Sequence, residues 1–324
     1  MKRLIPALLF LALVGCKTPP DEQIVPFTQN QTQALFTRSR PPQAFGLTVY
    51  STEMGPLFAG AHRVHPGQTA VMPFINRADP RAIEINLTAR GIKEIPTLID
   101  TASRENWVTA PLAVSMNSVS LAGPNPYHTT AVHVYDEIGG YASLMHRLTI
   151  DKLHVENVLL YIRAASGPLG VPARWLQDPT PQLALGAPFL RAFSYVTVDF
   201  AQRSVVFSAT TPFQKPEATL IAQAPLVDVR GVIGVEGTLN GEPTTFVVDT
   251  GGDFDLALND PAGLTVRRVT AGDLVFPLDV RAVAAREIGL GEVEYPRIGR
   301  GLLSRYRVTL DFRNKTLYFE RPTR

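Results

Sequence analysis

The chain has 324 residues, enough for one large two-lobed unit or two ordinary domains, and its 45% hydrophobic against 19% charged content marks a core-forming protein. A formal net charge of +2, with no Lys/Arg-rich run after the first residues, leaves no electrostatic footprint for a nucleic-acid partner. The 27 Pro and 24 Gly are scattered, which suits many short strands joined by turns better than long helices.

Met1-Lys2-Arg3 is a short basic start, and an apolar run from Leu4 to Val14 follows, broken only by Pro6. The run is too short for a permanent membrane span and has the length of a signal-peptide core. It closes on Leu13-Val14-Gly15-Cys16, and small residues before a Cys at this point resemble the lipobox of bacterial lipoproteins. The resemblance implies a signal peptide over 1–15, cleavage before Cys16 and a lipid anchor on Cys16. The chain is then exported and held to the bacterial envelope through that lipid. Lys17, where an Asp would resemble an inner-membrane retention signal, implies the outer membrane. Cys16 is the sole cysteine, so no internal disulfide is expected and the mature fold rests on its core. After Cys16 the chain is polar to residue 43, with Pro19-Pro20, Gln29-Asn30-Gln31 and Pro41-Pro42 and no sustained periodicity. Residues 16–43 read as a lipidated Cys and a flexible tether.

From Ala44 onward short alternating runs recur: Gly46 to Tyr50, Ala70 to Ile75, Ile83 to Leu87, Ala131 to Tyr135, Leu148 to Ile150 and Val158 to Ile162. Their period of two and β-branched content predict half-buried strands. Helices are expected to be few and short, at Pro188 to Phe193 and Leu302 to Tyr306.

A repeat organises the rest. Leu185-Gly186-Ala187-Pro188-Phe189-Leu190 leads into Val196-Thr197-Val198-Asp199-Phe200. Ile298-Gly299-Arg300-Gly301-Leu302-Leu303 leads into Val308-Thr309-Leu310-Asp311-Phe312. Upstream, Thr97-Leu98-Ile99-Asp100-Thr101-Ala102 precedes the first copy and Phe246-Val247-Val248-Asp249-Thr250-Gly251 the second. Each Asp-Thr turn follows a predicted hairpin, one around Gly91 and one around Asn240-Gly241. The implied organisation is an N-terminal lobe over 44–210, a linker over 211–226 and a C-terminal lobe over 227–324. Asp199 and Asp311, each at a strand end before a turn, are expected to accept turn hydrogen bonds.

Apolar-apolar-Asp-Thr-Gly followed later by an apolar-Gly and a short helix resembles the aspartic peptidases of the pepsin and retropepsin type. The resemblance covers both repeats, and the stretch from Trp107 to Gly167 lies outside it. It implies a mainly β, bilobal, aspartic-peptidase-like fold of two pseudo-two-fold-related, retropepsin-like lobes. It implies Asp100 and Asp249 as a catalytic dyad that shares one proton, with Thr101 and Thr250 locking the turns together. In the second repeat, Asp253 and Arg300 stand where retropepsins place an ion pair, and the two are expected to meet. In the first, Ala102 replaces the Gly expected in the turn, a place where Gly would ease both backbone angle and space. Arg104 and Ala187 replace the ion pair, and Arg104 is a candidate cation near the dyad. Gly139 and Gly140, with Tyr141, are the candidate tip of a substrate-covering hairpin beginning at Asp136.

His62 with His65 and His128 with His133 are the closest His pairs, and no Cys or acidic cluster completes a metal site. No phosphate loop or Gly-x-Ser-x-Gly elbow occurs. No metal and no cofactor is therefore expected. The leading expectation is a monomeric aspartic endopeptidase acting on a peptide or protein substrate with water as nucleophile. The alternative is a catalytically inactive lipoprotein of the same fold, a peptide-binding or structural envelope module.

Overall fold

A computed structural model describes residues 29–52, 55–67, 69–76, 82–121, 131–134, 138–163, 181–261 and 265–322. The chain folds as a mainly β, bilobal, aspartic-peptidase-like structure, and both lobes are built on one piece of topology.

In the N-terminal lobe, strands Glu84–Ala89 and Ile92–Ile99 form an antiparallel hairpin. Its turn residues Arg90 and Gly91 have φ of 51° and 83°, the left-handed pair that a tight two-residue hairpin loop demands. The second strand runs into Asp100. Strand Trp107–Thr109 follows, and Leu183–Leu185 returns between the two, parallel to Ile92–Ile99 and antiparallel to Trp107–Thr109. The short helix Ala187–Leu190 then begins with Pro188 in its first turn, where a missing N–H costs nothing.

The C-terminal lobe repeats each step. Val232–Leu239 and Glu242–Asp249 form the hairpin, with Asn240 and Gly241 at φ 55° and 95°. Arg297–Gly299 returns parallel to Glu242–Asp249 and antiparallel to Leu256–Leu258, and helix Arg300–Leu303 follows. The apolar-Gly element owes its Gly to a close approach of backbone. A Cβ on Gly186 would stand 2.4 Å from the Glu105 carbonyl oxygen, and one on Gly299 would stand 2.2 Å from that of Phe254.

The lobes are joined by an antiparallel sheet of six strands. Their order is Leu220–Val229, Thr316–Glu320, Arg307–Asp311, Tyr195–Asp199, Ser204–Ser208 and Thr69–Pro73. At its centre Thr197 lies opposite Thr309, hydroxyl to hydroxyl at 2.8 Å. These are equivalent residues of the two repeats, so the pseudo-two-fold axis passes between them. The strand-end aspartates do as expected: Asp199 accepts from the Gln202 amide at 2.9 Å and Asp311 from the Asn314 amide at 3.0 Å. Apolar side chains of both lobes form one continuous core, in which Phe189 meets Phe193 edge to face and Phe193 packs at a tilt on Phe207. Phe276, Tyr306 and Phe319 meet one another edge to face in the same core.

Three expectations are corrected. Gln29–Phe36 is a helix whose Leu35 and Phe36 are buried in the core, so residues 29–43 are not a free tether; two apolar anchors outweigh a polar composition. The linker over 211–226 is shorter than expected, because Leu220–Val229 points Ala222 and Ala224 inward and pairs with Thr316–Glu320. Gly139 and Gly140 are not a hairpin tip. They lie inside strand Ile138–Ile150, with Gly139 opposite His133 and Gly140 opposite Val132. Asp136 and Glu137, and the signal segment with Cys16, lie outside the described residues.

Candidate active site

The two Asp-Thr turns meet across the pseudo-two-fold axis, and the threonines hold them there. The Thr250 amide donates to Thr101 Oγ1 at 3.0 Å, and the Thr101 amide donates to Thr250 Oγ1 at 3.1 Å. Each hydroxyl then donates onward to the other lobe's strand, Thr101 to the Val248 carbonyl and Thr250 to the Ile99 carbonyl. All four groups are buried, so each lobe satisfies polar atoms that the other would otherwise strand. The residue before each threonine is an aspartate, and both aspartates are 3% exposed.

The two carboxylates act on each other. Burial pushes the Asp100 carboxyl up to about 7, and the charge of Asp249 acts in the same direction. The Ala102 amide, which donates to Asp100 Oδ1 at 2.9 Å, and the more distant Arg297 pull it back. Asp249 has a different partner: Arg297 Nη1 donates to its Oδ2 at 3.1 Å, with the two side chains 12% and 5% exposed. A buried carboxyl that keeps its proton to near neutrality beside one held by a cation is a pair able to pass a single proton.

Arg300 donates to Asp253 Oδ1 at 2.8 Å, the contact anticipated from the sequence. Ala102 is accommodated for a reason the sequence did not suggest. Neither Ala102 nor Gly251 has a positive φ, so backbone angle does not distinguish them. Space does. A Cβ on Gly251 would stand 3.0 Å from Asp100 Cγ, whereas the Ala102 methyl belongs to a small apolar cluster with Val229, Val232 and Val247. Arg104 is exposed and acts on Glu105; the cation at the dyad is Arg297. Tyr141 packs edge to face on Phe36 of the first helix, at 5.4 Å between ring centres.

Beneath the first turn lies a polar group that the sequence did not reveal. Asn106 Nδ2 donates to the Leu159 carbonyl at 3.0 Å and approaches His62 Nε2 at 3.2 Å, while its Oδ1 accepts the Gly186 amide at 2.8 Å. Burial lowers His62 to about 4 and raises Glu105 to about 7. His62 stacks on Phe189 and serves packing. Among the described residues, no group of three or more His, Cys, Asp or Glu is placed to hold a metal ion.

Arg297 did leave a trace in the sequence. It is a charge inside an apolar-apolar-Gly element whose first copy reads Ala184-Leu185-Gly186. Asn106 and Glu105 left none, since their roles depend on a strand that arrives from a distant part of the chain.

No protein-family model matches the chain, and no curated protein matches it. Among solved structures, the basic 7S globulin from soybean is similar at a TM-score of 0.48 and 13% identity, over 79% of this chain and 95% of that one. Conglutin gamma, a basic 7S globulin from lupine seeds, is similar at a TM-score of 0.46 and 13% identity, over 78% of this chain and 94% of that one.

Proposed function

We propose that this chain is an aspartic endopeptidase. The observation that carries the reading is the reciprocal threonine bonding, which sets two buried aspartates against each other so that one proton serves both. In such a pair one carboxylate takes a proton from water as the water oxygen bonds to the peptide carbonyl carbon. The other gives its proton to the carbonyl oxygen. Both aspartates come from one polypeptide, so a monomer suffices, and the reaction needs no cofactor. The N-terminal segment, read as a signal peptide ending at Cys16, places the enzyme on the bacterial envelope by a lipid anchor, with an exported peptide or protein as substrate.

A second reading has one observation in its favour. The ion pair of Arg297 with Asp249 engages the carboxylate that would have to accept a proton, as suits a peptide-binding module of the same fold. The test incubates the full chain in detergent, beside Asp100→Asn and Asp249→Asn, with a diverse peptide mixture from acidic to neutral pH. New termini are read by mass spectrometry. Cleavage by the wild type that both variants lose is the expected result. Peptides retained by folded wild type but never cut would replace the peptidase with the binding module.

A further inference from the structure

The two carboxylates have unequal surroundings, and one charged side chain marks the difference. Val247, two residues before Asp249, lies opposite Arg297 on the neighbouring parallel strand. Leu98, two residues before Asp100, lies opposite Ala184. Counted back from the close-packed glycines, Arg297 and Ala184 each stand two residues before Gly299 and Gly186, so they hold corresponding places in the two lobes. From that place a guanidinium reaches Asp249 Oδ2 at 3.1 Å, whereas a methyl brings no charge to Asp100. Among the described residues no cation forms an ion pair with Asp100. The turns differ to match. Gly251 leaves room for the Asp100 carboxylate where a Cβ would crowd it. The first turn carries a methyl, Ala102, at the corresponding position.

We infer that Arg297 is a positioning residue that fixes the negative charge of the dyad on Asp249 and leaves the shared proton on Asp100. A guanidinium does not give up its own proton, and at this degree of burial its attraction for a carboxylate is weakly screened. The charged groups facing the pair are few. Among the described residues they are the two aspartates themselves and Arg297. Arg104 acts on Glu105, and Asp253 is paired with Arg300. The flanking Val229, Val232, Val247 and Tyr295 bring no charge.

For catalysis, and there resting on the peptidase reading, the assignment fixes each role. Asp249 takes the proton of the water whose oxygen bonds to the carbonyl carbon, and Asp100 gives its proton to the carbonyl oxygen. When the diol collapses, Asp100 recovers that proton, Asp249 delivers its own to the amine nitrogen, and the C–N bond breaks. Both carboxyls end as they began. Arg297 exchanges no atom with the substrate; it acts on the reaction only through Asp249.

The test is a carboxyl carbon NMR titration of the full chain in detergent with labelled aspartate, which requires no turnover. The step at about 7 is expected to vanish in Asp100→Asn and to persist, moved down, in Asp249→Asn. Arg297→Gln is expected to raise the lower step of the pair by roughly one pH unit or more, and Arg297→Lys to restore most of the difference. A higher step that vanishes in Asp249→Asn and persists in Asp100→Asn overturns the assignment, as does a lower step that Arg297→Gln leaves in place. Should Arg297→Gln fail to fold, the two aspartate variants decide alone. A chain that titrates as expected but cuts no peptide keeps the assignment and loses the peptidase reading. A chain that cuts peptides with an Arg297-independent acid limb does the reverse.

Discussion

The two lobes share a backbone plan and differ in what they place around their aspartates. The C-terminal turn reads Asp249-Thr250-Gly251-Gly252-Asp253 and is ringed by two arginines, Arg297 on the aspartate and Arg300 on Asp253. The N-terminal turn reads Asp100-Thr101-Ala102-Ser103-Arg104, and Ala184 and Ala187 stand where those arginines would be. Instead it is braced from below by Asn106, which ties Gly186 to the strand bearing Leu159. A near-symmetric frame thus holds an asymmetric pair: both carboxyls are buried, and Asp249 alone of the two is paired with Arg297. The two copies keep the turn aspartates and threonines and the close-packed glycines identical, while the neighbours of the turns diverge.

The symmetric part of that comparison carries the largest expected effect. Thr101→Val removes a hydroxyl that accepts the Thr250 amide and donates to the Val248 carbonyl, leaving two buried backbone groups unpaired. The expected loss is about 3 kcal/mol or more at roughly one to three per stranded group, and Thr250→Val should match it. Urea unfolding of the two variants measures this, and a clear difference between them would mean that the grip is not reciprocal.

The asymmetric part predicts opposite signs for the same chemical change. Asp100 has its folded pKa raised to about 7 from 3.8. The folded state therefore binds the extra proton between those values, and stability falls as pH rises through that window. Asp100→Asn is expected to be neutral near the bottom of the window and stabilising above its top. The gain grows as pH rises through that window and levels off above it. Asp249→Asn instead removes the carboxylate that Arg297 pairs with, at a cost of about 3 kcal/mol. Thermal melts across pH separate the two, and equal behaviour would erase the distinction between the lobes.

Exchanging the turn residues has a smaller effect. Gly251→Ala should cost about 1–2 kcal/mol, as an added methyl meets the Asp100 carboxylate in a filled space. Ala102→Gly should cost about 1 kcal/mol for a methyl lost from the apolar cluster and a looser backbone. Chemical denaturation ranks the pair. The smallest effect belongs to Asp253→Asn. Asp253 is 48% exposed, and an ion pair at such a site contributes about 0.5 kcal/mol in a denaturation midpoint.

The frame was legible in the sequence because repeated local chemistry specifies it. Asn240-Gly241 and Arg90-Gly91 announce tight hairpins, and the apolar-Gly elements announce strands that pass close to another backbone. The meeting of the two Asp-Thr turns was legible for the same reason, since the same element follows each of them. The helix Gln29–Phe36 was hidden because its polar residues dominate the composition while Leu35 and Phe36 alone fix it to the core. Arg104 was a misleading neighbour: close beyond the turn in sequence, it is exposed to solvent. Arg297 lies far from Asp249 in sequence and reaches it only through the parallel pairing of Val247 with Arg297. A charge that arrives by strand register is visible only once the two copies are laid side by side.

The reciprocal threonine bonds also govern when the site comes into being. A nascent chain bearing only the first repeat has a Thr101 with no opposing turn and an Asp100 with no partner. The sheet between the lobes completes itself only when Thr316–Glu320 slots between Leu220–Val229 and Arg307–Asp311. The grip therefore needs both repeats: a chain that stops short of the second lacks Asp249 and Thr250.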